Sequence, residues 1–291
     1  MTNRNNKLEI FINPTSKELK KLSPIPTKKD RDANKNQAFI ECYSSLTTED
    51  LDLFGFRVNE FYYDCREDYL PKVNKYNPYR GTVRGTRMAF DRCGVKQPEN
   101  IDIPLVFRTK ENNKVFLKRK IFESNFGELR KMLRKDPGLK LHIKPLKIQK
   151  GFKGKVIYSK YLSDWKEYPN SYQLLVSEYS DLASFDSARV YVRKTTKGKI
   201  LVFCDGSYAT DFVRKVVETY ENSGTAPISY TFDIGFMGDK FCIVEFNESF
   251  SSGRRIWNLG NDKQENVETT KLFLARWYEI MGIAPPSYVR L

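Results

Sequence analysis

The chain has 291 residues, of which 40% are hydrophobic and 14% aromatic, and its formal net charge is +14 at pH 7. This composition excludes an intrinsically disordered chain and allows one large domain or two to three smaller ones. The positive charge is typical of a protein that meets a polyanion, a phosphate-bearing ligand or an acidic partner, and a generally basic surface explains it equally well.

The cysteine and histidine contents narrow the chemistry. The five cysteines form no Cys-x-x-Cys pair, which indicates free thiols in a reducing compartment. No signal peptide and no apolar run of membrane-spanning length is recognisable, so we expect a cytoplasmic protein. His142 is the only histidine. A metal site with two histidines is therefore excluded, whereas chemistry based on lysines, carboxylates and Mg²⁺ stays open.

In chain order, the N-terminal part reads as a mixture of short elements. A strand, LEIFIN, precedes a polar run to residue 37 that we interpret as a loop or arm. The segment YRGTVRGTR indicates a glycine-containing loop that leads to a helix. The segments IPLVFRT and NKVFLKRKIF predict a pair of strands around the turn KENN, and SNFGELRKMLRK predicts a helix that ends at Asp-Pro-Gly.

From residue 138 onward the pattern is that of an antiparallel-rich sheet with helices on it. LKLHIKPL alternates, with Leu141 and Ile143 on one face and His142 and Lys144 on the other. Strands follow at KVIY, YQLLVSEYS, ARVYVRKT and GKILVFC, then a helix at ATDFVRKVVETYENSG. A hairpin, ISYTFDIGFM and KFCIVEFNES around Gly-Asp, precedes a last helix, ENVETTKLFLARWYEIMG. The fold class is α+β.

Three polar residues in the hairpin suggest a metal site. Glu245 and Asn247 are two apart, so they share one face of a strand, and Asp233 lies on the preceding strand. Two carboxylates and an amide oxygen suit Mg²⁺. The alternatives are an ion pair for Glu245 and a turn role for Asn247.

The segment FDIGFMGDKFCIVEFNESFSSG resembles the C-terminal part of the ATP-grasp superfamily of carboxylate–amine ligases, especially a poorly characterised clade found in bacteria and their phages. In that superfamily an Asp and a Glu-x-Asn hold Mg²⁺ against the nucleotide phosphates. The resemblance implies an ATP-grasp fold, in which two α+β lobes sandwich ATP, preceded by a small α/β domain. We assign residues 1–110 to the N-terminal domain, with 1–37 partly an arm. Residues 111–291 form the ATP-grasp domain, with a hinge near 174–181.

The resemblance also implies roles for lysines on the phosphate side. HIKPLKIQKGFKGKV is similar to the strand and flexible loop of the clade, so Lys144 would reach the phosphates, and Lys150 or Lys153 would lie in the loop that closes over them. A solvated strand face is the alternative for Lys144.

On the adenosine side, LLVSEYSD resembles the hinge, which assigns Glu178 and the backbone of Tyr179 to the adenine amino group. Asp186 would accept from a ribose hydroxyl or, alternatively, cap a helix or turn. Arg189 in ARVYV would face phosphate or an acylphosphate, or else pair with a carboxylate on the strand face.

Two departures from the family pattern weaken the assignment of an active site. Thr231 stands where many relatives carry an arginine, and Arg189, Arg254 or Arg255 would then take the role of that arginine. In DSAR, the position directly before the strand arginine lacks the usual acidic residue.

The resemblance implies an ATP- and Mg²⁺-dependent ligase that joins a small-molecule or peptide carboxylate to an amine through an acylphosphate. The alternatives are a kinase on the same fold, or a catalytically altered protein that binds nucleotide, nucleic acid or a protein. YNPYRGTVRGTR interleaves tyrosines with arginines, as single-strand binders do, although a loop of the N-terminal domain explains it as well. A homodimer is among the expected assemblies.

Overall fold

A computed structural model describes residues 8–22, 56–58, 63–65, 70–71, 73–76, 78–79, 83–99, 101–146, 152–180, 188–204, 209–250 and 263–285. The strands are β1 (Ile10–Ile12), β2 (Phe56–Val58), β3 (Tyr63–Cys65), β4 (Ile121–Asn125), β5 (Leu141–Pro145), β6 (Lys155–Ile157), β7 (Gln173–Glu178), β8 (Ala188–Lys194), β9 (Ile200–Cys204), β10 (Ser229–Met237) and β11 (Lys240–Glu248). The helices are α1 (Ser16–Leu22), α2 (Val83–Arg92), α3 (Leu105–Arg108), α4 (Lys110–Asn112), α5 (Phe126–Lys135), α6 (Thr210–Asn222) and α7 (Lys263–Met281), with a π-helical turn at Asn113–Leu117 and a 3-10 helix at Ser159–Trp165.

The strands form three sheets, with the orders β1-β9-β8-β10-β11, β2-β3 and β4-β7-β5-β6. The four-stranded sheet is antiparallel throughout, because β4 and β5 both run against β7 and β5 runs against β6. In the five-stranded sheet β1 is parallel to β9, whereas β8 is antiparallel to β9. The α+β class and its predominantly antiparallel sheets agree with the sequence pattern.

The contacts divide the chain into two compact units. Unit 1 consists of Met1–Pro98, Ala188–Phe232 and Asn247–Leu291, and unit 2 of Glu99–Ser187 and Asp233–Phe246. This grouping by contacts does not test the predicted domain boundary after residue 110. That boundary and the small α/β N-terminal domain stay predictions.

The core of unit 2 lies between its four-stranded sheet and α5. The side chain of Asn125 caps α5 by accepting a hydrogen bond from the backbone N–H of Glu128 at 3.0 Å. From α5, Phe126, Leu129 and Leu133 are buried against the sheet. These residues recur at helical spacing, and the helix ends at Lys135, directly before Asp-Pro-Gly. The predicted helix and its end are therefore confirmed.

Unit 1 has a separate core in which α7 contributes large side chains. Phe273 and Trp277 are buried, and Trp277 stacks on Phe90 of α2 at a centroid distance of 5.4 Å. The buried Arg193 of β8 forms an ion pair with Glu268 of α7. None of the described helices is long and apolar enough to cross a membrane.

One predicted element is wrong. The segments IPLVFRT and NKVFLKRKIF do not pair as strands; α3, α4 and the π-helical turn occupy residues 105–117, and only residues 121–125 form a strand. Pro104 is the N-cap of α3, and the Thr109 hydroxyl accepts from the backbone N–H of Asn112 at 3.3 Å to cap α4. Phe107 and Phe116 then pack edge to face in the interior. Local capping therefore overrides the strand signal of the short apolar runs.

Candidate functional site

A cavity of about 490 Å³ lies within unit 2, lined by residues of β4 to β7, β11 and the segments beside them. Strand β5 presents two side chains to it. Because Leu141 and Ile143 are buried in the core, the alternation of the strand turns His142 and Lys144 toward the cavity. The predicted alternation of LKLHIKPL is thereby confirmed.

An ion pair forms part of the cavity wall. The Lys144 ammonium donates to a carboxylate oxygen of Glu245 on β11, and both side chains are about one quarter exposed, at 24% and 27%. Two residues 101 positions apart in the sequence are thus joined in the same wall. The opposite charges make the pair overall neutral, while each group remains open to a ligand that carries charge of its own.

Arg119 lies beside this pair and was not predicted from the sequence. Its side chain is 7% exposed and lines the cavity. The guanidinium donates to the carbonyl oxygens of Ile243 and Val244 at 2.8 and 2.7 Å, and to that of Leu117 at 3.2 Å. Burial lowers the pKa of Arg119. Among the described residues Arg119 bonds only to neutral carbonyls, so its positive charge is not balanced by an ion pair.

His142 contributes a neutral ring to the cavity. Burial, followed by the positive charges of Lys144 and Arg119, lowers the pKa of His142 to about 4. The ring packs closely on Gly154, where an added Cβ atom would lie 3.0 Å from two atoms of the imidazole and 3.2 Å from Cγ of Lys144. From the sequence, the single histidine His142 excluded a metal site with two histidines, and it was not predicted to belong to the functional site.

A further carboxylate, Asp102, lies close to the ion pair. Asp102 is 2% exposed and has a positive φ of 43°, and its carbonyl accepts from the backbone N–H of Phe246 at 2.8 Å. Burial raises the pKa of Asp102 to about 6, with smaller effects from Lys144, which lowers it, and Glu245, which raises it. No motif in the sequence marks this residue, because its proximity comes from a long-range bridge to β11.

The end of β7 forms another part of the wall. Glu178, Tyr179 and Ser180 line the cavity. The Glu178 carboxylate accepts from the backbone N–H of Lys120 at 2.9 Å, and the N–H of Tyr179 donates to the carbonyl of Lys140 at 3.3 Å. The segment predicted to hold an adenine ring therefore borders the same cavity as Lys144 and Lys153.

The predicted metal ligands lie on neighbouring strands. Asp233 is buried on β10, and Glu245 and Asn247 are half-buried on β11, beside β10 in the sheet. Cys242 and Phe246 are buried on the same strand. The described residues contain no group of three or more His, Cys, Asp or Glu side chains placed to hold a metal. The donor types, two carboxylates and one amide oxygen, fit Mg²⁺.

The remaining predicted residues fall elsewhere. Arg189 is half-buried on β8, in unit 1. Four further predicted residues lie outside the described residues: Lys150, Asp186, Arg254 and Arg255. Thr231, at the position where an arginine was expected, is fully buried on β10. The roles predicted for these residues stay predictions.

Comparison with protein families gives one match. A family model described as an ATP-grasp domain, the second family of its clade, matches residues 116–260. This range includes Arg119, Lys144 and Glu245, which line the cavity, and it includes the segment predicted to be the hinge. Comparison with curated proteins gives no significant match.

Several solved structures are similar to this chain at low identity. N5-carboxyaminoimidazole synthetase from Staphylococcus aureus is 12% identical over 76% of this chain and 64% of its own, with a TM-score of 0.41. N5-carboxyaminoimidazole ribonucleotide synthetase from Thermotoga maritima is 13% identical over 49% and 42%, with a TM-score of 0.33. D-alanine–D-alanine ligase from Helicobacter pylori is 12% identical over 63% and 60%, with a TM-score of 0.38. The chain spans less than two thirds of the length of each of these proteins.

Proposed function

The chain belongs to the ATP-grasp superfamily, and from that premise we propose that it is an ATP- and Mg²⁺-dependent ligase that joins a carboxylate to an amine. In this reaction the γ-phosphate of ATP passes to a carboxylate oxygen of the substrate. The amine nitrogen then attacks the acyl carbon of the acylphosphate and loses a proton, and inorganic phosphate leaves. The carboxylate and amine belong to small molecules or peptides.

The observation that carries the proposal is the Lys144–Glu245 pair in a cavity that also holds Arg119 and the hinge segment. Phosphoryl transfer needs little covalent help from a protein, so positioning and charge account for most of the catalysis. Lys144, Lys153 and Arg119 line the cavity and supply positive charge, which favours a polyphosphate. The neutral His142 adds no charge to this set at pH 7.

Of the predicted metal ligands, Glu245 lines this cavity and offers a carboxylate to a cation. Glu245 and Asp233, with Asn247 on the same strand face as Glu245, are the residues that would hold Mg²⁺. When bound, Mg²⁺ neutralises negative charge on the phosphates. In the structure Glu245 is neutralised by Lys144. A nucleotide in the cavity offers the Lys144 ammonium its phosphates as new partners, which leaves the Glu245 carboxylate available to the metal.

Turnover of ATP tests the proposal directly. The full chain is incubated with Mg²⁺, ATP and pools of amino acids and polyamines; ADP and free phosphate are measured, and amide products are sought by mass spectrometry. We expect Glu245→Ala and Lys144→Ala to lower turnover by about 100-fold or more. Glu128→Ala is the matched control, because Glu128 is an exposed carboxylate in the same unit whose partner is Lys131.

Two results would contradict the ligase. The first is no turnover together with no Mg²⁺-dependent binding of an ATP analogue that is lost in Glu245→Ala. The second is a phosphorylated product without free phosphate, which identifies a kinase on the same fold. Nucleotide binding that depends on Glu245, without turnover of any pool, favours the catalytically altered protein.

A further inference from the structure

One end of the four-stranded sheet of unit 2 carries cations and tyrosines, most of which lie outside the ligase cavity; Arg119, Glu178 and Tyr179 border both. The register pairs Ile121 of β4 with Ser177 of β7, and Leu141 of β5 with both Glu178 of β7 and Ile157 of β6. β4 and β5 therefore begin where β6 and β7 end. The residues just outside these four strand ends lie side by side, about 5 Å apart from strand to strand.

On the β4 side of this end lies a strongly basic groove of about 590 Å³. We call it the basic groove; its cations are Arg108, Lys110, Lys114, Lys118, Arg119 and Lys120. The only acidic residue in its lining is Glu178, whose carboxylate bonds to the main chain of Lys120. Glu123 neutralises Arg108 at 2.7 Å, and Glu111 is exposed on the same helical segment as Lys110. Cations are in clear excess.

On the β6 side the same end carries three tyrosines and two lysines, which we call the tyrosine ledge: the half-buried Tyr158 and the exposed Tyr161 and Tyr179, with Lys140 and Lys160. Tyr179 is 42% exposed and Tyr161 39% exposed. The Lys140 ammonium lies 5.8 Å from the ring centre of Tyr179, and the Lys160 ammonium lies 5.0 Å from those of Tyr158 and Tyr161.

The ledge is continuous across three strands. Tyr179 follows β7, Lys140 precedes β5 and Tyr158 follows β6, so the two tyrosines flank Lys140 at roughly two strand spacings, or about 10 Å. A hydrogen bond from Tyr161, with Lys160 and Lys140 nearby, lowers the pKa of Tyr158. Lys140 therefore lies close to both ends of the ledge.

We propose that the basic groove and the tyrosine ledge together bind a single-stranded nucleic acid, with phosphates in the groove and bases stacked on the tyrosines. Proteins that bind single strands combine a cationic groove that follows the backbone with aromatic faces on which bases stack. A duplex hides its base faces, and an acidic peptide has no flat rings to stack. The alternation of rings and ammonium groups therefore favours a single strand over both. The proposal does not require the ligase reaction, although the surface shares Arg119 and Tyr179 with the ligase cavity.

The position of this surface differs from the one suggested by the sequence. YNPYRGTVRGTR was the segment that resembled a single-strand binder; of its two tyrosines, Tyr76 is 64% exposed and Tyr79 is fully buried. Gly85 of the same segment packs under the Tyr79 ring, since an added Cβ would lie 2.3 Å from the tyrosine hydroxyl oxygen. Tyr79 therefore serves the core of unit 1 and offers no face to a base.

Fluorescence anisotropy with short labelled single-stranded RNA and DNA tests the proposal, using the full chain without ATP. We expect Tyr158→Ala and Tyr161→Ala each to weaken binding by roughly 5- to 100-fold, and Tyr161→Phe to retain it. Lys110→Glu with Lys114→Glu should weaken binding and flatten its salt dependence, by about 0.7 in the log–log slope for each phosphate that the variant no longer neutralises.

Two controls match these variants. Lys131→Glu with Lys135→Glu reverses an exposed pair at the same i, i+4 spacing in the same unit, on α5, and should leave binding unchanged. Tyr76→Ala removes an exposed tyrosine of unit 1 and should do the same. The proposal is overturned if neither oligonucleotide binds, if a duplex or polyglutamate binds as tightly, or if the control variants lose as much affinity as the ledge and groove variants.

Discussion

Gly154 lies immediately before β6, where the backbone passes close to two residues of the cavity wall. An added Cβ would meet the His142 ring at 3.0 Å and Lys144 at 3.2 Å. Such separations are tighter than ordinary packing, so the ring or the lysine has to move. We expect Gly154→Ala to weaken binding of an Mg²⁺–ATP analogue several-fold, with a cost of about 1 kcal/mol in the free energy of unfolding. Isothermal titration calorimetry and urea unfolding measure the two effects.

Gly138→Ala is the control for this substitution. Gly138 lies in the same unit, and the nearest atom to an added Cβ there is 3.5 Å away, which is an ordinary van der Waals separation. Both the affinity and the stability should stay near those of the wild type. Unchanged affinity in Gly154→Ala would show that Lys144 and His142 accommodate the methyl group, and that close packing at this point does not position the lysine.

At the scale of single residues, the sequence predicted those site residues whose type and spacing form a recognisable local pattern. Lys144 and Glu245 lie in conspicuous local patterns, and the structure joins them in an ion pair, which was the alternative to a metal role for Glu245. Their roles toward phosphate and metal stay predictions. Arg119 and Asp102 were missed for a physical reason. Arg119 belongs to a run of three basic residues that gives no sign of which one turns inward, and Asp102 reaches the site through a bridge to Phe246.

At the scale of elements, Arg119 joins the segment before β4 to β11. Its guanidinium bonds two consecutive carbonyls, those of Ile243 and Val244, directly before Glu245. Lysine keeps the charge but lacks the planar fork that reaches both carbonyls. We expect Arg119→Lys to lower the free energy of unfolding by about 2 kcal/mol and also to weaken Mg²⁺–nucleotide binding, because Glu245 is held less firmly.

Arg130→Lys separates these two effects. Arg130 also donates to main-chain carbonyls in unit 2, those of Trp165 at 2.6 Å and Tyr168 at 3.0 Å, but it lies outside the cavity. Its substitution should cost similar stability in urea unfolding and leave nucleotide affinity intact. Equal losses of affinity in both variants would mean that Arg119 acts on the fold in general and does not position Glu245.

Helix α7 and strand β8 share a buried group of charges in unit 1. Arg193 pairs with Glu268, and Lys271, which is 0% exposed, lies 3.4 Å from the same carboxylate. Two cations thus share one anion. Burial lowers the pKa of Lys271 to about 8, although Glu268 opposes the change.

The sign of the resulting pH dependence follows from this depressed pKa. Between pH 8 and the ordinary value of 10.5, the unfolded chain holds a proton that the folded chain has released. The contribution of Lys271 to stability therefore rises with pH in this window and is lost as pH falls through the folded pKa. Relative to Lys271→Met, wild type should gain about 1–2 kcal/mol between about pH 7.5 and 9.5 in urea unfolding. A constant difference would contradict the depressed pKa.

The elements themselves were predicted where caps and periodicity agree. The helix at residues 126–135 has an asparagine cap, apolar residues at helical spacing and a proline stop, and the hairpin of β10 and β11 turns at Gly238, whose φ is 64°. The prediction of strands at residues 103–120 was wrong because short apolar runs there coincide with helix caps at Pro104 and Thr109. Short apolar runs do not distinguish strands from short helices.

At the scale of the whole molecule, the expectation of an ATP-grasp fold is confirmed by the family match over residues 116–260. The resemblance rested mainly on one hairpin and on the order of the segments upstream of it. The grouping of Asp233–Phe246 with Glu99–Ser187 in one unit was not foreseen. It depends on packing between segments far apart in the chain, which local sequence patterns do not encode.

A ligand bound in the cavity of unit 2 should stabilise the strands that line it. An Mg²⁺–ATP analogue at a concentration 100 times its dissociation constant stabilises the folded state by about 2.7 kcal/mol. Amide hydrogens that exchange only through unfolding should then exchange roughly 100-fold more slowly. We expect this protection in β5 and β7, whose backbone bonds hold Lys144 and Glu178 in place. Hydrogen exchange followed by mass spectrometry resolves these strands without assuming that the chain unfolds in one step.

Two variants test whether the protection depends on Mg²⁺ bound by Glu245. Glu128→Ala, an exposed carboxylate outside the cavity, should keep the full protection, whereas Glu245→Ala should lose the part that requires Mg²⁺. Protection of the same size in Glu245→Ala would mean that the metal is not held by this carboxylate. If β5 and β7 show no protection at a saturating concentration of the analogue, the nucleotide binds away from the cavity. That result would contradict the proposed ligase site.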